Sequence, residues 1–484
     1  MPELVLAGRA AGTSSAKTNP YLGLPMDQAG EGKQAEVAAA SEVAMPETRF
    51  AELDNGVRIA AVDRQGLCSS IGLFVHTGSR YLTAETASFA HMLELMAFRS
   101  SAHLSHLRTL KTLEQLGAAA SCRVGREDIL YQMDVLREYV PVALPLMLAN
   151  LTCPSVLPEE VEEAHGHVME VQASLEENPE GLVVELLHIA AYNGNTLGHP
   201  LYADEKDLPS FTAEKLRAFT QRECTPERII LVGVNVDFNE LCKWTARSFA
   251  EHGHLMRKPE GRDMTPAIYT GGELRIERPN PLCHLMLGWE VAGGWNGKWL
   301  AAVTVLQMFL GGGGSFSTGG PGKGMHTRLY TEVLNRHGWV ESCQASTVMY
   351  VDSGLFTVYA TLVPHHAGDF ITVLARIFEG ITRISDVELL RAKNALKSSI
   401  HMNLEMRAVM MEDIGRQLIL SGKVGTAQEF GRMVDAVTQE DLVETLRHCL
   451  QSSPSVVSYG AIDRVPTHEQ IKQKFATVLR PQPK

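Results

Sequence analysis

Within Ser88-Phe-Ala-His91-Met-Leu-Glu94-Leu95-Met-Ala-Phe98, a histidine, a glutamate and a leucine are spaced so that one face of the helix predicted there carries all three. The spacing is that of the zinc pattern HxxEH, in which two histidines hold the metal and the glutamate activates water. Here the second histidine is replaced by Leu95, which has no lone pair to give. A catalytic zinc is usually held by three protein ligands plus a water, so this helix is expected to pack in a core and hold no metal. His103, His106, His165 and His167 form His-x-x-His and His-x-His pairs that could chelate, but nothing in the sequence brings them to His91. No catalytic residue, metal or cofactor is therefore assigned to the chain.

The second candidate is the run from Leu310 to Tyr330, whose core, Gly311 to Gly324, contains eight glycines. A phosphate-binding loop would read GxxxxGK[ST]. Lys323 is instead followed by Gly324, and Ser317 stands where the first glycine should be. A dinucleotide pattern started at Gly320 and Gly322 meets Met325 at its third glycine, so it fails too. A glycine run exposes backbone donors and acceptors, which suits transient contact with an extended peptide better than fixed catalysis.

The elements around these residues are written twice. Ile71–Gly78 recurs as Leu287–Gly294, Leu113–Gly117 as Leu334–Gly338, and Ile129–Val135 as Phe356–Leu362. The helix opening Thr212–Leu216 recurs as Thr438–Leu442, and the strand Arg228–Gly233 as Val456–Gly460. Both helix openings put threonine at the N-cap. The second copy gains residues in two steps, the first of which brackets the glycines, and its helix Val303–Phe309 has no ligand cluster. This predicts an α+β fold of two homologous domains, residues 48–250 and 273–484, joined by a linker over 251–272. Residues 1–47, with Glu3 the only acid before Asp27 and with Arg9 and Lys17, read as a transit peptide or a flexible tail.

Composition narrows the function. The chain has 484 residues, a mean hydropathy of −0.05 and a net charge of −12, and no apolar run long enough to cross a membrane. Glu138 to Glu205 contains twelve acids and no Lys or Arg, so this stretch accounts for the whole imbalance. That balance excludes nucleic acid as the main partner. The eight cysteines form no CxxC pair and are expected to be reduced thiols of an intracellular compartment.

The glycine string LGGGGSFSTGGPGKGMHTRLY, the altered metal helix HMLELMAF and the duplication together resemble the α-subunits of mitochondrial processing peptidase, the non-catalytic branch of the inverted zincins, related to core proteins of respiratory complex III. The resemblance runs from about Phe50 to the C-terminus. It implies the processing-peptidase (LuxS-like metallohydrolase) fold, two mainly antiparallel sheets with helices on one face of each. It also implies a zinc-bearing β-subunit as partner and basic presequence peptides as substrate. Gly311, Gly312, Gly313, Gly314, Ser315, Phe316, Gly319, Gly320, Gly322, Lys323 and Gly324 then become the substrate-handling loop. His91, Glu94, Leu95 and Glu170 become a remnant metal site. Glu176 and Glu177, with Glu180, are expected to contact peptide, whereas Glu159, Glu160, Glu162 and Glu163 either face the cavity or form the solvated start of a helix. The implied location is the mitochondrial matrix or the matrix face of the inner membrane. The alternative is a structural core subunit of complex III beside cytochrome b, cytochrome c1 and its other subunits, in some lineages serving both roles.

Overall fold

The repeated strand motifs build two sheets in the computed structural model, which describes residues 47–83, 85–252, 265–315 and 324–479. The first sheet contains β1 (Arg49–Glu52), β2 (Arg58–Val62), β3 (Cys68–Val75), β4 (Ala119–Val124), β5 (Ile129–Leu136) and β6 (Ile229–Val234). The second contains β7 (Gly272–Glu277), β8 (Cys283–Glu290), β9 (Gly312–Gly314), β10 (Val340–Met349), β11 (Gly354–Leu362) and β12 (Ser455–Gly460). The orders are β1-β2-β6-β3-β5-β4 and β7-β12-β8-β11-β10-β9. Only β2–β6 and β7–β12 are parallel pairs. Five strands therefore correspond one to one, and each sheet adds one strand of its own at opposite edges: β1 in the first, the all-glycine β9 in the second.

The helices of the first half are α1 (Phe89–Leu95), α2 (His106–Leu116), α3 (Val140–Thr152), α4 (Pro158–Glu177), α5 (Pro179–Tyr192), α6 (Ala213–Glu223) and α7 (Phe238–His252). Those of the second are α8 (Leu300–Leu310), α9 (Ala367–Glu379), α10 (Asp386–Glu405), α11 (Arg407–Ser421), α12 (Ala427–Ala436), α13 (Gln439–Cys449) and α14 (His468–Ala476). The expected caps are present: Thr212 Oγ1 accepts from the Lys215 N–H, and Thr438 forms a reciprocal box with Asp441. Proline opens α4 and α5 at positions where no N–H is needed.

On one face of each sheet, as expected, lie helices of its own half. Ile59, Ile71, Leu73 and Ile129 bury against α1 and α3 residues, and Leu285, Leu287 and Val358 against α8 and α9 residues. The opposite faces are also covered, each by a helix of the other half. Met410, Met411, Ile414 and Leu418 of α11 pack on Phe74, Leu130, Ile230 and Val232 of the first sheet. Val183, Leu187 and Ala191 of α5 pack on Met286, Leu355, Tyr359 and Val457 of the second. Alternation along the strands supplies apolar residues to both faces, which is why these strands read as almost continuously hydrophobic. The exchange makes Thr48–Lys484 a single compact unit.

The exchanged helices come close because glycine faces them. A Cβ on Gly72 of β3 would lie 1.9 Å from Met411 Sδ, and one on Gly288 of β8 would lie 3.0 Å from Leu187. Gly415 of α11 in turn leaves room for the Phe74 ring, 2.1 Å from where its Cβ would be. Across the seam, the buried Arg80 guanidinium bonds Glu127 of its own half and Asp352 of the other, the latter at 2.6 Å.

Candidate functional site

Helix α1 places His91, Glu94 and Leu95 against the first core, and each is committed there. His91 is fully enclosed, with its ring edge-on to Tyr202 and its Nδ1 accepting the Ala203 N–H at 3.1 Å. That bond puts the ring proton on Nε2, so neither nitrogen keeps a lone pair for a metal. Burial lowers the His91 pKa to about 4, so the ring is neutral at pH 7. Glu94 Oε2 accepts the Val124 N–H of β4 at 3.0 Å, and burial raises its carboxyl pKa. Leu95 packs partly buried against the same core.

Glu170 does not join them. Its side chain is 76% exposed on α4 and pairs with His167 at 3.0 Å. His165 packs on Phe211, and His106 Nδ1 sits 3.3 Å from the Phe98 carbonyl oxygen. Among the described residues no group of three or more His, Cys, Asp or Glu is arranged to hold a metal. The side chains present do not fit a zinc ion, and no step through zinc is assigned to them.

The glycine run leaves α8 through Gly311, at φ +59°, and enters β9. Gly312, at φ +113°, lies so close to β10 that a Cβ would sit 2.0 Å from the Cys343 carbonyl oxygen. No side chain fits there. Pairing with β10 sets Gly312 opposite Gln344, Gly313 opposite Cys343 and Gly314 opposite Ser342. Ser315 continues the pairing through its N–H to the Glu341 carbonyl at 2.7 Å. Gly324, at φ +72°, resumes the described chain, while Phe316, Gly319, Gly320, Gly322 and Lys323 lie outside the described residues.

The acidic stretch divides into structural and free charge. Glu160 is buried and accepts from Ser100 Oγ and the Ser100 N–H, Glu163 pairs with Arg99 at 2.7 Å, and Glu185 pairs with Arg126 at 2.8 Å. Neither Glu160 nor Glu163 is thus merely a solvated first-turn acid. Glu176 and Glu177 are exposed in the last turn of α4, where negative charge opposes that helix's own dipole. Glu180, exposed in the first turn of α5, accepts the Gln344 amide at 2.7 Å. Since Gln344 stands opposite Gly312, the helix exchange carries free acid from the first half to the edge of the glycine strand in the second. Sequence reasoning missed Gln344, because no pattern connects a β10 amide to an α5 carboxylate.

Two family profiles match the chain. The one described as "Insulinase (Peptidase family M16)" matches residues 58–205, and "Peptidase M16 inactive domain" matches residues 210–396. The chain is 34% identical over 425 residues to the probable mitochondrial-processing peptidase subunit alpha-2 of Arabidopsis thaliana, covering 87% of this chain and 84% of that one. It is 32% identical over 432 residues to the mitochondrial-processing peptidase subunit alpha of Solanum tuberosum, covering 88% and 85%. To the corresponding Bos taurus subunit it is 33% identical over 453 residues, covering 89% and 85%.

Proposed function

The chain belongs to the α-subunit family of the mitochondrial processing peptidases, within peptidase family M16, and on that premise we propose that it binds the N-terminal presequences of imported precursors for a β-subunit to cut. In this reading residues 48–250 and 273–484 are two peptidase-like domains, and the catalytic zinc belongs to the partner. This chain contributes the Gly311–Gly324 loop and the free acids Glu176, Glu177 and Glu180. The observation that carries the proposal is the combination of a closed metal helix with a bare glycine edge strand beside the Glu180 carboxylate, which accepts the Gln344 amide and has no ion-pair partner among the described residues. Basic presequences would be drawn to that charge and held there through backbone contact.

Family membership makes this a mitochondrial protein. The finer location in our reading is the matrix or the matrix face of the inner membrane, and no helix among the described residues is long and apolar enough to cross a membrane. Nothing in the fold or in these relatives favours the complex III core-protein alternative. The test is reconstitution. The purified chain alone should bind no stoichiometric zinc and cleave no presequence peptide, and adding the β-subunit should restore cleavage. Deleting Gly311 to Gly324 should then weaken peptide capture with zinc content unchanged. A deletion that left both affinity and turnover intact would remove the loop from the mechanism.

A further inference from the structure

We propose that the captured peptide adds as a further strand to the free edge of β9, with a basic side chain crossing Gly312 to reach the Glu180 carboxylate. This rests on the reading that the glycine segment captures presequences, and it specifies how.

The inner edge of β9 is consumed by β10. The Gly311 carbonyl accepts the Ala345 N–H at 2.9 Å, Gly313 faces Cys343, and the Ser315 N–H reaches Glu341. In an antiparallel ladder alternate residues turn their polar groups to opposite sides. Gly312 and Gly314 therefore direct theirs outward. The Gly312 N–H is met by Thr327 Oγ1 at 3.2 Å. Among the described residues the Gly312 carbonyl and both polar groups of Gly314 have no partner, and they form a short template for an incoming strand. Among the described residues β9 is the outermost strand of its sheet, and none of their atoms lies within 4 Å of where Gly313 and Gly314 would carry a Cβ.

Charge fixes the occupant. Residues paired across a sheet point to the same face, so a residue placed opposite Gly312 shares the face of Gln344. That face is the one covered by α5, because Gln344 donates to Glu180 there while Cys343 and Ala345 enter the core on the other side. The incoming residue would stand about 10 Å from Gln344, two inter-strand spacings. Glycine at 312 leaves the intervening surface bare. A guanidinium or ammonium group can thus lie flat across β9 to Glu180, while Glu176 and Glu177 at the end of α4 add to the attraction. An acidic or neutral peptide would find the same backbone edge without the ion pair.

The experiment uses the full chain in complex with the β-subunit, with zinc chelated so that peptide is held but not cut. The probes are a synthetic presequence peptide with one central arginine, its citrulline counterpart, and a set singly N-methylated at successive backbone positions. N-methylation should weaken binding at alternate residues near the arginine, and that alternation should vanish in Gly314→Pro, which removes an outward N–H. Glu180→Gln should weaken the arginine peptide about tenfold and leave the citrulline peptide nearly unchanged. An N-methyl profile identical in the wild-type and Gly314→Pro complexes would overturn the strand-addition mode, as would equal losses of both peptides in Glu180→Gln. If deletion of Gly311 to Gly324 abolishes capture while those variants are silent, this inference falls and the functional reading stands. If the deletion itself is silent, the functional reading falls.

Discussion

A histidine that accepts a backbone N–H behaves differently in acid from one that holds zinc. The folded pKa of His91, about 4, lies below the ordinary histidine value, so the unfolded chain binds more protons between pH 4 and 6.5. Its contribution to stability is therefore complete above about pH 6.5 and is lost as pH falls toward 4. The raised carboxyl pKa of Glu94 acts the other way just above the ordinary carboxylate range, so the informative measurement is a difference. Thermal melts of wild type and His91→Gln across that window should converge toward the acid end. Restoring the second histidine with Leu95→His should still yield no tight zinc by metal analysis, since His91 Nδ1 is occupied and Glu170 faces solvent. The helix, its packing in the core and the missing ligand were all readable from HMLEL. The partners of His91 and Glu94 were not, because Ala203 and Val124 are remote in sequence and donate only backbone N–H groups, which any residue type can supply.

At the scale of elements, the glycines separate into those that pack and those that merely sit in helices. Gly415 of α11 has the Phe74 ring where a Cβ would go, whereas Gly166, inside α4, has nothing within 4 Å. Gly415→Ala should destabilise by about 1–3 kcal/mol through overpacking, and Gly166→Ala should stabilise by about 0.5–1 kcal/mol through helix propensity. Denaturant unfolding of the two variants, with opposite shifts in midpoint, checks the pair. The repeated Ile71-Gly72 and Leu287-Gly288 dipeptides were visible as one of the marks of duplication. Their use was hidden, since a repeat reveals what each unit folds into and not whose helix lies on whose sheet.

Over the whole molecule, the net charge of −12 resolves into pairs and remainder. Glu160, Glu163 and Glu185 are bound to partners in the fold, whereas Glu176, Glu177 and Glu180 form no ion pair among the described residues and are the acids assigned to a basic peptide. Presequence affinity of the α–β complex should fall as salt rises, and Glu176→Gln with Glu177→Gln should flatten that dependence with little change at high salt, as read from a titration series. Cooperativity is the second whole-chain consequence. Because one face of each sheet lacks a cover without the other half, calorimetry of the isolated chain should give one unfolding transition, and a fragment ending at residue 250 should expose the face that α11 covers and aggregate. The sequence supported two similar units; their mutual dependence follows from contacts between residues hundreds of positions apart, which leave no periodic trace.

The reciprocal placement of α5 and α11 is the geometry of a swapped dimer written into one polypeptide. A single-repeat ancestor exchanging its helix with a second copy would bury the same two sheet faces by two-fold symmetry. Fusion frees the copies from that identity. One edge then becomes available for β1 and the opposite edge of the sister sheet for a glycine strand, an asymmetry that a homodimer of identical chains cannot encode.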